Sequence, residues 1–378
     1  MTLKARLSRL ELRDFRNLAR VELRPPADGL VVIGENGQGK TNLLESIYYL
    51  EILRSARGAR DQDLIRFGAD AFHIAASVDT DRCHEIGVGF ERAGKRKRVR
   101  LDGDIPERLS DALGALPSVL FSPADVELIA GAPAARRRFL DIMLALTGRG
   151  YLVALQRYRA ALARRNAALR ESARASRASQ ASVAVWEPAL AEHGALLIHE
   201  RLAWVDAMAD RFEQLCRDIG ETARVRLRYA GTIDASSDVA GALAAALEEK
   251  RSLDLRRGLT HAGPHRDDLA ITITGPDAAA RELRAFGSAG QQRSAAIALR
   301  MLEASTFTER TGRSPLFLLD DPFAELDVRR SSRVLDLLSG SELGQTVLVV
   351  PRESDIPPEF TGLERVRVTA GEIAPFTT

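Results

Sequence analysis

An eight-residue segment near the N-terminus constrains the fold more than any other part of the chain. Residues 34–41, Gly-Glu-Asn-Gly-Gln-Gly-Lys-Thr, fit the phosphate-binding pattern G-x-x-x-x-G-K-[ST]. The apolar run Leu30–Ile33 before the segment predicts a buried strand, and the stretch Asn42–Leu53 after it predicts a helix. Glycines in such a loop let backbone N–H groups turn inward around phosphate oxygens, and the helix presents its positive end. This order of elements predicts an α/β fold with a nucleotide site.

Two residues of this segment carry side chains suited to phosphate chemistry. Lys40 is expected to reach the β- and γ-phosphates, and Thr41 to place its hydroxyl on Mg²⁺. The alternative is a glycine-rich turn that fits the pattern by chance, but the chain has only five lysines, which makes a chance match rare. The candidate nucleotide-binding residues are Gly34, Glu35, Asn36, Gly37, Gln38, Gly39, Lys40, Thr41 and Asn42.

A second apolar strand, predicted over residues 315–320, ends in paired carboxylates. Asp320 is expected to hold Mg²⁺ through water, and Asp321 stands where a water-orienting base is needed. A strand that ends in two aspartates is commonplace by itself, and the glycine-rich loop upstream is what favours the functional interpretation. The candidates for catalysis are therefore Asp321 and Lys40, and the candidates for the metal are Thr41 and Asp320.

A third segment, Ser-Ala-Gly-Gln-Gln at 288–292, precedes a predicted helix over 291–311. A serine and a glycine at a helix N-terminus offer a hydroxyl and N–H groups to phosphate, although the same residues also make an ordinary capped helix start. The segment lies about 30 residues before the aspartate-bearing strand, and that position makes it informative. Ser288, Gly290 and Gln291 are therefore added to the candidate nucleotide-binding residues.

Composition excludes several classes of protein. With 45 % hydrophobic residues among 378, the chain can bury a sizeable core in two to three domains. Cys83 and Cys216 lie far apart, so neither a disulfide framework nor a thiolate zinc site is expected. The low cysteine content favours a protein of a reducing compartment. No apolar run approaches the ~18 residues of a membrane span, and no signal-peptide core is present. The net charge is only +2, but residues 131–180 carry eleven arginines against two acidic residues.

The pattern of elements predicts an α/β head built from both chain ends, with a helical insertion between them. Strand-like patterns occur before residue 101 and again after Thr260, whereas residues 133–220 follow a helical period. An apolar stripe from Ile198 to Ile219 and a weaker one upstream are joined by a predicted mobile link, Glu171–Gln180. Two helices of up to 40 residues would make an antiparallel arm about 60 Å long at most. Because the stripe lasts only about three heptads, ordinary helix packing is favoured over a coiled-coil rod.

The order of these motifs resembles that of ABC-type ATPase heads, a group that includes the SMC-like chromosome proteins. In those heads a P-loop is followed by S-x-G-Q and then by an apolar strand with Asp-Asp-Pro and Glu-Leu-Asp. Shorter pieces between Leu10 and about Val350 resemble the RecF family more narrowly. They are Asn36-Gly37, Thr41–Glu45, Leu120–Asp125, Arg136–Asp141, Tyr158 with Arg165-Asn166, Gly263–Asp268, Gly290–Arg293, Asp320-Asp321 and Glu325–Asp327.

The resemblance to RecF implies an α/β, ABC-type P-loop ATPase head assembled from both chain ends, with an inserted helical lobe that carries a short antiparallel arm. It assigns residues 1–116 to the N-terminal part of the head, 117–258 to the helical lobe and 259–378 to the C-terminal part. The implied ligands are ATP and Mg²⁺, and Asp327 is expected to join the nucleotide site. A homodimer is expected to form when ATP binds.

The function implied by the resemblance is ATP-dependent DNA binding in recombinational repair, replication-fork maintenance and the SOS response. The implied partners are single-stranded DNA, gapped or junction duplex DNA, RecO and RecR, with RecA loading as the outcome, in the cytoplasm and without a membrane. ATPase activity is expected to be weak, DNA-stimulated and used as a switch. Asp321 is one methylene shorter than the glutamate of fast ABC ATPases, so its carboxylate is expected to lie about 1 Å or more too far from the attacking water. A misplacement of about 1 Å can lower the rate on the order of a hundredfold.

Some positions depart from the RecF pattern. Ala56 stands where a histidine is usual in the Arg54–Arg57 stretch, and Ala289 replaces the usual Gln or Gly of the signature. The sequence Val-Val-Pro-Arg at 349–352 replaces a threonine-rich stretch and offers no switch histidine. This last departure puts phosphate sensing from that loop in doubt, but not the fold or the nucleotide site.

Further candidates carry weaker signals. The run Lys95–Arg98 is either a solvated hairpin tip or a phosphodiester contact, and His261 and His265 suggest a turn beside the nucleotide site better than a metal site. Phe15 and Arg16 are candidates for a place near the adenine. The arginines of the insertion either contact phosphates or keep the exposed helix faces soluble. They are Arg136–Arg138, Arg157, Arg159, Arg164, Arg165, Arg170, Arg174 and Arg177.

Two other classes of ATPase compete with this interpretation. In transporter-type ATPase subunits the signature follows the P-loop by roughly a hundred residues, whereas Lys40 and Ser288 are 248 positions apart here. SMC-like structural proteins have arms of hundreds of residues, and this insertion is far shorter. Both alternatives are therefore less favoured than a RecF-like ATPase.

Overall fold

A six-stranded sheet forms the centre of the first of two units in the computed structural model. The structure describes residues 3–174, 180–234, 238–275, 279–323, 326–340 and 344–376. The first unit runs to Asp125 and takes in Asp218–Gly220 and the chain from Ile297 onward, and the second consists of Val126–Arg217 and Glu221–Ala296. Strands and helices are numbered along the chain.

The six strands lie in the order β16-β15-β4-β14-β13-β8, and all neighbours are parallel except the edge strand β16. Their bounds are β4 Gly29–Ile33, β8 Ser118–Phe121, β13 Leu316–Asp320, β14 Thr346–Val350, β15 Glu364–Thr369 and β16 Glu372–Pro375. Every residue of β4, β13 and β14 is buried, as expected for parallel strands covered on both faces. The strands predicted from apolar runs at 30–33, 315–320 and 346–350 are thus confirmed.

A five-stranded antiparallel sheet in the order β3-β2-β5-β6-β7 accompanies it in the first unit. Its strands are β2 Arg6–Phe15, β3 Leu18–Leu23, β5 Ala71–Asp79, β6 Glu85–Glu91 and β7 Arg96–Leu101. The predicted turn at Arg16-Asn17 and the predicted hairpin tip over residues 91–95 are both confirmed. Two further short strands, β1 Leu3–Lys4 and β12 Arg313–Ser314, pair in parallel.

The helices of the first unit include α1, Lys40–Ile52, which follows the glycine-rich loop, and α10, Val328–Gly340. Helix α9, Ala289–Thr311, begins in the second unit and ends in the first. Short 3-10 turns occur at Asp61–Leu64, Leu109–Ala112, Pro123–Val126, Glu353–Asp355 and Pro358–Phe360.

The second unit is largely helical. Its remaining helices are α2 Glu127–Ala130, α3 Pro133–Thr147, α4 Arg149–Arg174, α5 Gln180–Ala184, α6 Glu187–Ile219, α7 Val239–Arg257 and α8 Leu283–Phe286. A three-stranded antiparallel sheet, in the order β11-β10-β9, consists of β9 Arg224–Ala230, β10 Asp268–Thr274 and β11 Ala280–Glu282. No helix among the described residues is both long enough and apolar enough to cross a membrane.

The two long helices of this unit, α4 and α6, run antiparallel. Tyr151 at the start of α4 contacts Arg201 in the middle of α6, and Arg165 farther along α4 contacts Glu187 at the start of α6. With 26 and 33 residues they are about 39 and 50 Å long, shorter than the predicted upper limit. Of the predicted link, residues 171–174 continue α4, and residues 175–179 lie outside the described part of the chain.

The apolar stripe predicted on α6 is confirmed by its burial. Four of its members are buried and the other three are half-buried, which is the pattern of a helix with one packed face. The buried four are Ile198, Val205, Phe212 and Ile219.

The boundaries between the two structural units differ from the domain boundaries that were predicted from the sequence. Residues 259–296, predicted to belong with the ATPase head, group with the helical unit. The reason is pairing, because β10 pairs with β9 over seven residues and Arg136 of α3 forms an ion pair with Asp268. The assignment of 1–116, 117–258 and 259–378 to functional lobes stays a prediction.

Candidate nucleotide-binding site

Three parallel strands of the central sheet end side by side at the candidate site. Strand β14 lies between β4 and β13 and is parallel to both, so the residues that follow the three strands meet at one edge of the sheet. Gly34 follows β4 and donates its N–H to the carbonyl of Val350, and Asp320 ends β13. This carboxyl edge is where open α/β sheets bind their ligands.

The loop between β4 and α1 depends on glycine at three positions. A Cβ at Gly34 would lie 2.5 Å from the carbonyl oxygen of Val368. Gly37 has φ +81° and Gly39 has φ +116°, in the left-handed region that glycine adopts without a steric cost. Gly39 is also the N-cap of α1, so the loop passes directly into the positive end of that helix.

Lys40, the first residue of α1, lies buried beneath the loop. Its Nζ donates a hydrogen bond to the carbonyl of Glu35 at 2.8 Å. Burial lowers the pKa of Lys40, and the nearby carboxylates of Asp320 and Asp321 act against this shift. The ammonium group therefore lies among backbone carbonyl and carboxylate oxygens at the edge of the sheet.

Thr41 and Asp320 are in direct contact. The Thr41 side chain forms a hydrogen bond with Asp320, whose carboxyl group is mostly buried. Burial raises the pKa of Asp320, and the hydrogen bond from Thr41 and the charge of Lys40 oppose that rise. A hydroxyl and a carboxylate are the hard oxygen donors that Mg²⁺ prefers, and Mg²⁺ commonly takes only one or two protein ligands beside water and phosphate. The described residues contain no group of three or more His, Cys, Asp or Glu that would hold a metal alone.

Asp321 follows the strand in an unusual backbone conformation. Its φ is +45°, which an aspartate tolerates better than most side chains, and its N–H donates to the carbonyl of Val349 at 3.0 Å. This turn stops the strand at Asp320 and leaves Asp321 half-buried at the edge. The predicted pair of carboxylates thus lies together with Lys40 and Thr41.

A buried glutamate behind the loop was not predicted to matter. Glu45 of α1 accepts hydrogen bonds from Arg16, Ser55 and Arg57. Burial by itself raises the pKa of Glu45, but the hydrogen bonds from Arg57, Ser55 and Arg16 hold it below its ordinary value. Glu45 lies one helical turn after Thr41, and this i, i+4 spacing is the signal that could have identified it.

Arg57 extends from this cluster towards the site. Its guanidinium also donates to the side-chain carbonyl of Asn42 at 2.5 Å, and its charge is close enough to lower the pKa of Asp320. Glu45 therefore positions a cation beside the carboxylate at the end of β13. Alanine at position 56 leaves this arrangement intact.

The last two strands of the central sheet support the loop. The turn between β15 and β16 donates two N–H groups to Gln38, from Ala370 to its side-chain oxygen and from Gly371 to its carbonyl oxygen. Asn17 donates to the same carbonyl and accepts a hydrogen bond from Asn42. No motif marks this hairpin in the sequence, and its contribution is visible only in the fold.

Ser288 and Gln291 form a reciprocal cap at the start of α9. The N–H of Gln291 donates to Ser288 Oγ at 3.2 Å, and the N–H of Ser288 donates to Gln291 Oε1 at 2.9 Å. Ser288 is exposed and Gly290 is half-exposed. These three residues belong to the second unit, whereas the loop and the two aspartates belong to the first.

Asp327 caps another helix. Its Oδ1 accepts the N–H of Arg330 at 2.9 Å at the start of α10, and its side chain is exposed. Glu325, in the same motif, lies outside the described residues. Pro351 and Arg352 follow β14, and Arg352 is exposed.

Several weaker candidates have structural roles instead. Phe15 is fully buried and packs edge-on against Tyr49 and Phe72, so it belongs to the core, and its place near the adenine stays a prediction. Arg16 is held by Glu45. Lys97, in the predicted phosphodiester-binding run, pairs with Asp61 on the inner side of its sheet.

Two arginines of the insertion are buried and paired, which excludes the predicted phosphate contact for them. Arg136 forms an ion pair with Asp268 and donates to three backbone carbonyls. Arg165 is fully buried between Glu187 and Asp254. Among the others, Arg157, Arg159, Arg164 and Arg170 are exposed, the side chain of Arg174 is not described, and Arg177 lies outside the described residues.

The two histidines of the 260–268 segment also form internal hydrogen bonds. His261 Nδ1 lies 2.7 Å from Asp254, and His265 contacts the Tyr158 hydroxyl and the Thr260 carbonyl. These contacts explain why the segment pairs with α4 in the second unit.

Comparisons with known proteins agree on one family. The family described as RecF/RecN/SMC N terminal domain matches residues 6–369. The DNA replication and repair protein RecF of Geobacter sp. strain M21 is 37 % identical over 375 residues, which cover 97 % of this chain and 99 % of that protein. RecF of Geotalea daltonii is 33 % identical over 374 residues, with the same coverage.

Solved structures show the same likeness in three dimensions. A structure of the recombination mediator protein RecF-ATP in the RecFOR pathway matches with a TM-score of 0.89 at 26 % identity and covers 100 % of this chain and 99 % of that one. The Smc head domain of Pyrococcus furiosus matches with a TM-score of 0.56 at 17 % identity, covering 99 % and 96 %, a likeness in fold alone. The α/β, ABC-type head expected from the motifs is confirmed.

Proposed function

The chain belongs to the RecF family, and we propose that it is a recombination mediator switched by ATP. The observation that carries the proposal is the meeting of Lys40, Thr41, Asp320 and Asp321 at the carboxyl edge of three parallel strands. A glycine loop, a cation and paired carboxylates are what binding a nucleoside triphosphate requires. ATP is the ligand of the similar RecF structure, and this chain covers that structure almost completely.

Each residue at this edge has a definite role in the proposal. The loop N–H groups and the Lys40 ammonium bind the phosphates, and Thr41 with Asp320 holds Mg²⁺. When bound, Mg²⁺ neutralises phosphate charge. The remaining loop residues, from Gly34 to Asn42, enclose the phosphates and keep water away from them.

Hydrolysis is expected to be slow. Asp321 orients the attacking water, but its side chain is a methylene shorter than a glutamate, and its left-handed backbone fixes where the carboxylate can reach. ATP then times the life of a complex and does not drive a motor. Steady-state phosphate release, with and without DNA, should stay below about one turnover per second; many turnovers per second would contradict this role.

We extend the proposal to a homodimer that ATP closes. Ser288 and Gly290 present phosphate-binding groups at the start of α9, and Ser288 is exposed. Asp327, exposed at the start of α10, is expected to join the same site. In the proposed dimer Ser288, Gly290 and Gln291 of one protomer complete the site of the other. ATP that binds the dimer better than the monomer shifts association by mass action.

The wider role follows from the family. We propose that the dimer binds single-stranded and gapped or junction duplex DNA, and that it acts with RecO and RecR to load RecA in the cytoplasm, in recombinational repair, replication and the SOS response. The relatives' role in DNA replication and repair and the arginine content of the chain support this role.

The substitution Lys40→Met tests the proposal, with Lys250→Met on α7 as the matched control. Binding of a fluorescent ATP analogue and sedimentation velocity with and without ATP are measured for both variants and for the wild type. Lys40→Met should weaken ATP binding at least about a hundredfold and stay monomeric with ATP, because a buried cation is lost from the phosphate site. Wild-type behaviour of Lys40→Met, or absence of ATP binding in the wild type, would show the proposal to be wrong.

A further inference from the structure

The outer face of the five-stranded sheet carries an unusual set of side chains. The strands alternate, so that apolar residues such as Leu12, Ile74 and Val88 are buried on one face and the intervening residues are exposed on the other. This exposed face is rich in arginine, and its only apolar side chains are alanines. We call five of its residues the arginine face: Arg13, Arg20, Arg96, Arg98 and Arg100.

Strand register aligns basic residues in one row across the sheet. Arg13 lies directly opposite Arg20 on one side and His73 on the other, His73 lies opposite Gly89, and Gly89 lies opposite Arg98. The row therefore reads Arg-Arg-His-Gly-Arg over five strands. At about 4.8 Å per strand it extends for about 19 Å.

Arginines outnumber the acidic side chains of this face, which are Glu11, Glu22, Asp79, Glu85 and Glu91. Glu11 and Glu22 are both paired with Arg9, and Glu91 lies directly opposite Arg96 in the register of β6 and β7. None of the five side chains of the arginine face forms a hydrogen bond or an ion pair with the described part of the chain. Like charges directly opposite each other destabilise a sheet, and Arg13 opposite Arg20 is such a pair. The sheet keeps this electrostatic repulsion although it lowers stability, which indicates that an anion binds here.

The middle of the face has almost no side chains. Ala75, Gly87 and Gly89 occupy it. A concavity of about 300 Å³ lies over Ala75 and Gly87, and its charged lining residues are Arg9, Arg100, Glu11 and Glu85. A glycine inside a strand weakens the strand and often marks close approach of a ligand or another backbone. Here the nearest atom to a Cβ at Gly87 would be 3.8 Å away, in the His73 ring, so internal packing does not require the glycine.

We propose that the arginine face binds the phosphodiester backbone of duplex DNA, an inference that rests on the proposed DNA-binding function. The arginines on β2 and on β7 are separated by three strand spacings, about 14 Å, which is comparable to the ~12 Å width of the B-DNA major groove. The two groups can therefore contact phosphates of both strands over the open middle. Protein interfaces have an apolar core, which this face lacks, and guanidinium groups match phosphate geometry.

The double substitution Arg13→Gln/Arg98→Gln tests the inference, because it removes one charge from each side of the face. The matched control is Arg157→Gln/Arg170→Gln, two exposed arginines of α4 that represent the rival surface. Affinity for a gapped duplex is measured in the presence of ATP at several salt concentrations. The sheet variant should bind at least about tenfold more weakly, and its log–log salt slope should fall by about 1.8, or 0.9 for each lost phosphate contact. The control should keep the wild-type slope.

The remaining outcomes separate this inference from the function on which it rests. If the wild type binds and the sheet variant keeps its affinity and slope, the inference is wrong and DNA binding stands. If the sheet variant loses affinity for polyglutamate but not for DNA, the face binds an acidic protein and the inference is again wrong. If the wild type binds no DNA at all, both fail. The melting temperature of the sheet variant should not fall below that of the wild type, because like charges were removed.

Discussion

Arg164 and Arg165 are neighbours in α4, but their environments differ completely. Arg165 is fully buried and donates to Asp254 at 2.7 Å and to Glu187 at 2.9 Å. Arg164 is exposed and lies over the Trp186 ring, 5.0 Å from its centre. Consecutive residues of a helix do not share a face, so one side chain points into the unit and the other into solvent.

This difference predicts unequal effects of two alanine substitutions. Arg165→Ala leaves the buried Asp254 without its arginine and removes one of the two arginines that pair with Glu187, so it should lower the free energy of unfolding by about 3–5 kcal/mol. Arg164→Ala should lower it by less than about 1 kcal/mol. Urea unfolding followed by circular dichroism compares the two, and equal effects would contradict the burial of Arg165.

The position of Arg165 could have been recognised from the sequence. Tyr158, Leu162 and Leu169 follow a helical stripe, and Arg165 occupies its missing position. A charged residue on an apolar stripe is one that requires a buried partner. The partner itself could not be predicted, because Asp254 lies 89 residues away on α7.

His265 makes the stability of the second unit depend on pH. Burial lowers the pKa of His265 to about 4, and the charges of Arg266 and Arg137 act in the same direction. The Thr260 carbonyl can only accept, so Nε2 carries the proton of the neutral ring and Nδ1 accepts from Tyr158. Between pH 6.5 and 4 the unfolded chain binds more protons than the folded one at this site.

The stabilisation from neutral His265 is therefore complete above about pH 6.5 and is lost as the pH falls towards 4. The difference in free energy of unfolding between wild type and His265→Gln should shrink over this range, by at most about 3 kcal/mol. Urea unfolding at pH 7 and pH 4 measures it, with the exposed His199→Gln as control. A difference that stays constant between the two pH values would contradict the neutral, buried state.

At the scale of elements, the loop between β4 and α1 relies on a hairpin more than 300 residues away. The β15–β16 turn donates two hydrogen bonds to Gln38, and Gly371 in that turn has φ +85°. A Cβ at Gly371 would lie 2.4 Å from the carbonyl oxygen of Asn17, which itself contacts the loop.

Gly371→Ala should therefore weaken ATP binding, although this residue lies outside the phosphate-binding motif. We expect a loss of about three- to thirtyfold, equivalent to about 1–2 kcal/mol of displaced loop. Gly362→Ala, in open space on the same C-terminal segment, is the control and should bind ATP as the wild type does. Calorimetric titration measures both, and equal affinities would show that the hairpin does not position the loop.

Elements with a strong local signal were predictable, and those defined by distant contacts were not. Strands β4, β13 and β14 are continuous apolar runs, and their buried place in a parallel sheet follows from that pattern. The C-terminal hairpin alternates weakly, and its pairing with β4 depends on a strand more than 300 residues upstream. The cluster of Glu45 with Arg16 and Arg57 could not be predicted for a similar reason. Arg16 follows β2 and Arg57 follows α1, so the two side chains meet at Glu45 only when β2 and α1 pack against each other.

At the scale of the whole molecule, the proposed mechanism requires two protomers to share each ATP. The loop and the two aspartates already surround one end of the site, whereas exposed Ser288 belongs to the other unit. In the proposed symmetric dimer Ser288 of one protomer would face the loop of its partner, which would give two equivalent sites. Ser288→Arg should then block dimer closure while ATP binding to the monomer persists.

Two controls separate this effect from loss of the helix cap. Ser288→Thr keeps a capping hydroxyl without added length and should dimerise with ATP. Gln291→Ala breaks the reciprocal cap without adding bulk and also removes a side chain of the proposed shared site, so we expect it to dimerise with reduced affinity, in contrast to the complete block by Ser288→Arg.

Mixing Lys40→Met with Ser288→Arg tests the shared site most directly. In their heterodimer one site joins two defective halves, and the other joins the intact loop of the Ser288→Arg chain to the intact Ser288 of the Lys40→Met chain. Sedimentation velocity with ATP should show each variant alone as a monomer and the mixture as partly dimeric. Normal ATP-dependent dimerisation of Ser288→Arg alone would contradict the account.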